Sequence, residues 1–205
     1  MPGKVKALKN QIINIGKKLY DLRLVSGRAG NLSARLDKNH ILITASGTCL
    51  GKLKDRDIIK VDLIKELPKN KSVSSEFPLH RLIYKNFPVR TVIHCHPPLT
   101  NAYFSLYNRL MPLTLETKYY LKEIRSVKQK TLTVTRPELV IEALKRNNLA
   151  VLKHHGVVSI ANKFADGLYL IELLEEAVKS FAVARLLQET PLDVLEKELK
   201  KNLSR

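Results

Sequence analysis

The sequence predicts a mixed α/β fold whose central sheet is largely antiparallel. Three observations carry that prediction. Stretches with the 3.6-residue apolar period of helices interleave along the chain with short β-branched runs of strand length. Several links between the predicted strands are too short for parallel crossovers, which leaves antiparallel pairing. A length of 205 residues with 44% hydrophobic residues suits one layered unit with a sizeable core, so residues 1–205 are read as a single domain.

The first element is a helix. Val5, Leu8, Ile12, Ile15, Leu19 and Leu22 recur at alternating steps of three and four, giving one apolar packing stripe with lysines opposite. Ser26-Gly27 ends it and Gly27 to Asn31 forms a turn. Strands follow at Leu32–Leu36 and Ile41–Thr44, then a second small-residue turn, Ala45-Ser46-Gly47-Thr48. Ile58–Leu63 reads as a strand and Lys69–Ser75 as a polar loop. Glu76-Phe77-Pro78 opens a helix through Phe87. The run from Val92 to His96 is a strand closed by Pro97, and a helix follows over about Leu99–Leu110. Residues 116–130 are charged and read as irregular, with a short strand at Leu132–Val134 beyond them. Pro137 sits in the first turn of a helix to Arg146, as proline prefers. Two strands flank Gly156, a long helix spans Lys163 to about Gln188, and a short basic helix with Leu195 and Leu199 closes the chain.

Charge is the feature that misleads most readily. The formal net charge is +17, from 36 Lys and Arg against 19 Asp and Glu. The charge is spread along the chain rather than blocked, aromatics are 6%, and there is no tryptophan to build a stacking platform. No helix-turn-helix, zinc-finger or RNA-recognition pattern stands out. A basic surface that attracts phosphorylated metabolites is the reading adopted, with no specific nucleic-acid partner. No apolar run approaches the roughly 18 residues of a membrane span. The lysines near the start are not followed by an apolar signal core, so a cytoplasmic protein is expected. Two cysteines make no disulfide framework. Cys95, flanked by two histidines, should point away from them into the core.

That flanked position is the most informative stretch. In an extended strand, residues two apart face the same way, so His94 and His96 present two imidazoles side by side. Such a pair begins a metal site, with zinc the usual guest. A second cluster, His154-His155-Gly156, follows the strand Leu149–Lys153. A catalytic zinc takes three protein ligands and keeps one position open, and these two strand ends supply three. Spacing alone leaves His154 and His155 as alternatives.

Five pieces now stand in order: Gly30-Asn31-Leu32-Ser33, Thr44-Ala45-Ser46-Gly47, Ser74-Ser75-Glu76, His94-x-His96 and His155-Gly156. In this order and spacing, from about Leu19 to Leu187, the chain resembles the class II aldolase/adducin family, nearest its fuculose-phosphate aldolase branch. The resemblance implies a three-layer αβα fold. It implies that His94, His96 and His155 bind a divalent cation, usually zinc, with Mn²⁺ or Co²⁺ as substitutes. Asn31, Ser46, Gly47, Ser74 and Ser75 would hold a substrate phosphate, which suits glycine turns with open amides and serine hydroxyls that donate. Glu76 would carry a proton, and would also ligate the metal when substrate is absent. The implied activity is that of a zinc-dependent aldehyde-lyase. It cleaves a ketose 1-phosphate such as L-fuculose 1-phosphate, reversibly, to dihydroxyacetone phosphate and a small aldehyde such as lactaldehyde. The path runs through a zinc-stabilised enediolate. The implied assembly is a homotetramer with sites at subunit boundaries. Epimerase, dehydratase or decarboxylase chemistry on the same scaffold is the alternative, followed by a non-catalytic adducin-like binding module. Three features depart from the branch: Arg28 in the first turn, no glycine-rich stretch over residues 117–135, and no tyrosine after Pro191.

Overall fold

A computed structural model describes residues 2–66 and 72–189. The first helix, α1 (Pro2–Asp21), buries Ile12, Ile15 and Leu19 as its period requires. Leu22 lies one residue past the helix end and is 42% exposed. Eight strands follow in one sheet: β1 (Asn31–Arg35), β2 (His40–Thr44), β3 (Ile58–Asp62), β4 (Thr91–Cys95), β5 (Arg109–Leu110), β6 (Ile124–Lys128), β7 (Leu149–Lys153) and β8 (Gly156–Ala161). The further helices are α2 (Phe77–Asn86), α3 (Pro98–Leu106), α4 (Leu115–Leu121), α5 (Pro137–Leu144) and α6 (Phe164–Glu189).

The spatial order is β3-β2-β1-β4-β8-β7-β6-β5. Every neighbouring pair is antiparallel except β6 and β7, whose link, residues 129–148, contains α5 and is long enough for a crossover. The strands bury both faces. Leu42, Ile93, Val151 and Val157 pack into a core shared with Ile12, Phe104, Leu121 and Ile171, on the side of α1, α3, α4 and α6. Ile41, Ile43, Val92, Leu152 and Val158 pack with Phe77, Ile83, Val140 and Ile141, on the side of α2 and α5. Three layers result, as the family resemblance implies. Each fully buried aliphatic side chain in the two cores contributes about 1.5–3 kcal/mol relative to exposure. β4 sits between β1 and β8 and is buried throughout, so its ends are the best-anchored points of the sheet.

Several sequence expectations need correction. Residues 116–130 are not irregular: they hold most of α4 and all of β6. The helix after Pro97 stops at Leu106, and Arg109–Leu110 pairs with β6 instead of continuing it. Leu132–Val134 is a loop and not a strand. Of the loop at 69–75, residues 72–75 are described, and Val73 bridges to Ala45. The expected helix with Leu195 and Leu199 lies outside the described residues. Cys95 points into the core, and burial pushes its thiol pKa well up.

Candidate metal centre and anion cleft

Register explains how distant histidines meet. β4 pairs with β8 so that His94 lies opposite Val158, and the two-residue turn between β7 and β8 folds back over the end of β4. His154 takes a left-handed backbone (φ 62°) in that turn and faces solvent. His155 therefore turns towards β4. Its Nε2 lies 3.2 Å from His94 Nε2, and His96 Nε2 lies 3.1 Å from the same atom. Gly156 makes this approach feasible. A Cβ there would sit 2.4 Å from the Cys95 carbonyl oxygen and 2.7 Å from a His96 ring carbon. Gly30 has a similar role on the β1 side, where a Cβ would meet the His94 carbonyl oxygen at 2.7 Å and φ is 78°.

The donor chemistry fits a cation. Three nitrogens, each about 2.0–2.1 Å from a tetrahedral zinc, lie roughly 3.3 Å apart. The observed 3.1 and 3.2 Å spacings are close to that value. His94 Nδ1–H donates to the Val157 carbonyl at 3.0 Å, which fixes its tautomer and leaves Nε2 as a lone pair. Burial, reinforced by the neighbouring imidazoles, holds the His94 pKa well below its ordinary value. Burial and then His155 bring His96 down to about 4, and burial lowers His155. Neutral imidazoles whose lone pairs converge form a basic nest that a cation relieves. Among the described residues, this is the one group of three or more His, Cys, Asp or Glu side chains close enough to share an ion.

The turn motifs frame the same cleft. Ser46 N–H donates to the Ser72 carbonyl, Ser74 N–H donates to the Thr44 carbonyl, and Ala45 bridges Val73. The turn at 45–48 is thereby stitched to the segment that leads into α2. Ser74 Oγ accepts from Glu76 N–H at 3.3 Å, a local turn bond just ahead of α2. Ser46, Gly47 and Ser75 are exposed, whereas Asn31, Ser74 and Glu76 are buried in the wall. The cleft has a volume of about 160 Å³, and every residue singled out from the sequence lines it: Asn31, Ser46, Gly47, Ser74, Ser75, Glu76, His94, His96 and His155. Arg28 is the one lysine or arginine among its lining residues. Three larger clefts, of 740, 510 and 260 Å³, contain no histidine and none of these motifs, so here size does not mark the chemistry.

Glu76 stands apart from the imidazole group. Its Oε1 accepts from Val134 N–H at 3.0 Å, and its buried Oε2 has no partner among the described residues. Burial raises its pKa, and the Val134 N–H partly offsets that rise.

Three contributors escaped the sequence reading. Leu132, 94% exposed, lines the cleft as an apolar side chain among polar ones. Glu175 on α6 accepts from the Leu99 and Thr100 amides and the Thr100 hydroxyl, which pins the turn just after His96. His80 on α2 lies behind Asn31. It occupies the apolar face of α2 with Phe77, Ile83 and Tyr84, and a polar residue on a buried stripe was the available signal.

Residues 10–181 match the family described as the class II aldolase and adducin N-terminal domain. An L-fuculose phosphate aldolase of Methanocaldococcus jannaschii is 35% identical, covering 83% of this chain and 93% of that protein. A 3-oxo-tetronate 4-phosphate decarboxylase of Haemophilus influenzae is 30% identical, covering 85% and 87%. The crystal structure of L-fuculose-1-phosphate aldolase from Thermus thermophilus superposes with a TM-score of 0.81 at 30% identity, covering 93% of this chain and 100% of that one.

Proposed function

The chain belongs to the class II aldolase and adducin family, and from that premise we propose that it is a metal-dependent aldolase. In this reading it cleaves a ketose 1-phosphate, such as L-fuculose 1-phosphate, to dihydroxyacetone phosphate and a small aldehyde such as lactaldehyde. The observation that carries the reading is the meeting of three imidazole nitrogens, an unpartnered buried carboxylate oxygen and a cradle of neutral turns in one cleft.

His94, His96 and His155 would hold the cation, and an all-imidazole donor set suits zinc, with Mn²⁺ or Co²⁺ as substitutes. When bound, the ion supplies Lewis acidity, drawing electrons from a carbonyl and stabilising negative charge as a carbon–carbon bond breaks. Asn31, Ser46, Gly47, Ser74 and Ser75 bind the phosphate through hydroxyl, amide and backbone donors, and Arg28 adds positive charge at the rim. Holding the phosphate orients the distant reacting carbons, so remote binding becomes rate at the chemical step. Glu76 moves the proton. Its free Oε2 delivers a proton to the carbon adjacent to the carbonyl after cleavage and removes it from the same carbon in the reverse direction. Its raised pKa brings the carboxyl closer to the neutral pH at which it must both give and take a proton. A ligand role for Glu76 would require its carboxylate to approach the imidazoles, which form the metal-binding group without it.

The assembly in this reading is a homotetramer. Leu106, Leu115, Met111 and Tyr119 are all more than half exposed on neighbouring segments between α3 and α4, an apolar surface that a second copy would cover. Light scattering over a dilution series tests it, and a fully active monomer would refute it. The reading places the enzyme in the cytoplasm, where phosphorylated sugars are held. No described helix is long and apolar enough to cross a membrane.

The 30% identical decarboxylase relative supports a second reading, decarboxylation of a phosphorylated oxo-acid on the same scaffold. One experiment separates the two. The zinc-reloaded protein is screened separately against ketose phosphates and phosphorylated 3-oxo acids, with dihydroxyacetone phosphate, aldehyde and carbon dioxide measured in parallel. Dihydroxyacetone phosphate and an aldehyde, released from a ketose phosphate without carbon dioxide, are expected. Carbon dioxide from an oxo acid, with no aldehyde from any ketose phosphate, would replace the aldolase reading.

A further inference from the structure

Behind the anion cradle, on the α2 side of the sheet, runs a line of polar side chains of which the reaction above uses only the first, Asn31. Asn31 opens β1 and lines the cleft. Its Oδ1 lies 2.6 Å from His80 Nε2, His80 Nδ1 lies 2.6 Å from Ser33 Oγ, and Ser33 Oγ lies 2.9 Å from the Tyr84 hydroxyl. His80 and Ser33 are wholly buried, and Tyr84 nearly so. Buried polar groups are costly unless each finds a partner, and here each does.

The direction of the bonds follows from the inventory of donors. An amide oxygen only accepts, so His80 Nε2 carries the hydrogen. A neutral imidazole carries one N–H, so Nδ1 accepts and the Ser33 hydroxyl donates to it. The Tyr84 hydroxyl then donates to Ser33. Full burial keeps the ring neutral, with its pKa brought down to about 3, so a second N–H is absent at physiological pH. The carbonyl half of the Asn31 amide is thus held from behind, and its NH₂ half is left to the cleft. An unheld amide would rotate and present its oxygen to an anion part of the time.

We propose that His80 is a positioning residue that fixes the Asn31 amide with its NH₂ towards the substrate phosphate, with Ser33 and Tyr84 fixing the tautomer of His80. The inference rests on the phosphate reading of this cleft. No contact between His80 and substrate is needed, since His80 is absent from the cleft lining.

The test measures inorganic phosphate affinity of the zinc-loaded protein by calorimetry, beside KM and kcat for the ketose phosphate that it cleaves. His80→Leu should weaken phosphate roughly tenfold, the scale of one misdirected hydrogen bond to a charged group, and raise KM more than it lowers kcat. His80→Gln, whose amide N–H can occupy the Nε2 position, should recover most of the loss. In an Asn31→Ala background, His80→Leu should have no further effect on phosphate affinity. If His80→Leu fails to fold, Ser33→Ala carries the test with an expected loss of about threefold, again confined to proteins that retain Asn31. Unchanged phosphate affinity in the folded variants, or equal losses with and without Asn31, would overturn the proposal and leave the phosphate reading standing. A wild-type protein that binds no phosphate would instead overturn the phosphate reading and this inference with it.

Discussion

The two sides of the cleft are built differently. The histidine side rests on strand ends in the middle of the sheet: β4 is buried along its whole length, and β7 and β8 join through a two-residue turn that leaves no slack. The opposite side comes from the loop between β6 and α5, where Val134 N–H reaches Glu76 and Leu132 stands 94% exposed. Chemistry that tolerates little positional error sits on the rigid side. In the proposed reading the side that meets the variable half of a substrate would sit on the loop, where sequence can change without disturbing a core.

Breaking the rigid side should have the largest effect. The double variant His94→Ala, His96→Ala leaves one imidazole of the three and should not retain zinc after dialysis, as measured by elemental analysis. Turnover should fall by roughly 10³-fold or more, because Lewis-acid stabilisation is worth several kcal/mol. Unchanged metal content would place the ion elsewhere and remove the basis of the contrast.

Glu76 joins the two sides, since it starts α2 and is held by the loop. Glu76→Gln should keep zinc and phosphate binding while slowing cleavage roughly 10²–10⁴-fold. The acid limb of the pH–rate profile gives a second check. Burial raises the pKa of this carboxyl above its ordinary 4.5, so in the condensation direction, where Glu76 removes a proton, the carboxylate is lost and the rate falls as pH drops through a value higher than 4.5. The slow residual rate of Glu76→Gln should lack that limb. Loss of zinc in Glu76→Gln would mean that the residue acts chiefly as a ligand.

A smaller effect is expected from Gly156→Ala. The added methyl meets the Cys95 carbonyl oxygen at 2.4 Å and the His96 ring at 2.7 Å, both on the rigid side where backbone cannot yield. Overpacking of this kind costs about 1–3 kcal/mol. A lowered unfolding midpoint should come with weaker zinc binding, because relief of the clash moves His96. An alanine variant with wild-type zinc affinity would show that the turn has more freedom than its two residues suggest.

The same contrast explains what the sequence revealed. The rigid side was legible in part because strand alternation is a strong constraint: His94 and His96 had to share a face, whereas spacing left His154 and His155 open and only the family resemblance pointed to His155. The fold was legible where apolar periods are long, as in α1 and α6, or where apolar runs are buried on both faces, as in β4, β7 and β8. The loop side was not legible. The Leu-Thr-Val pattern at 132–134 alternates like a strand, but no strand lies alongside, and Val134 N–H bonds a carboxylate instead. α4 has seven residues and buries only Thr117 and Leu121, too few to set a period. β5 has two residues, and β6 is half exposed along its length. The network behind Asn31 was hidden for another reason: Ser33 is 47 residues from His80 and 51 from Tyr84, and only the packing of β1 under α2 joins them.

The smallest effect, and the one that sharpens the contrast most, belongs to Leu132→Ala. At 94% exposure the side chain gains almost nothing from burial, so the unfolding free energy should move by no more than about 0.5 kcal/mol. Zinc and phosphate binding should also hold, since their donors stand on other segments. Only the part of the substrate that becomes the aldehyde should notice the change. Leu132 is the large apolar member of a mostly polar lining, and a lost apolar contact of a methylene or two is worth about 1–3 kcal/mol in the transition state at most. Two ketose 1-phosphates that differ only in a terminal methyl against a terminal hydroxymethyl make the comparison. Leu132→Ala should lower kcat/KM for the methyl substrate several-fold and leave the hydroxymethyl substrate nearly unchanged. An equal change for both would mean that Leu132 does not touch that end of the substrate. The aldehyde side would then be completed by the apolar surface of a neighbouring copy, and the loop would serve only to hold Glu76.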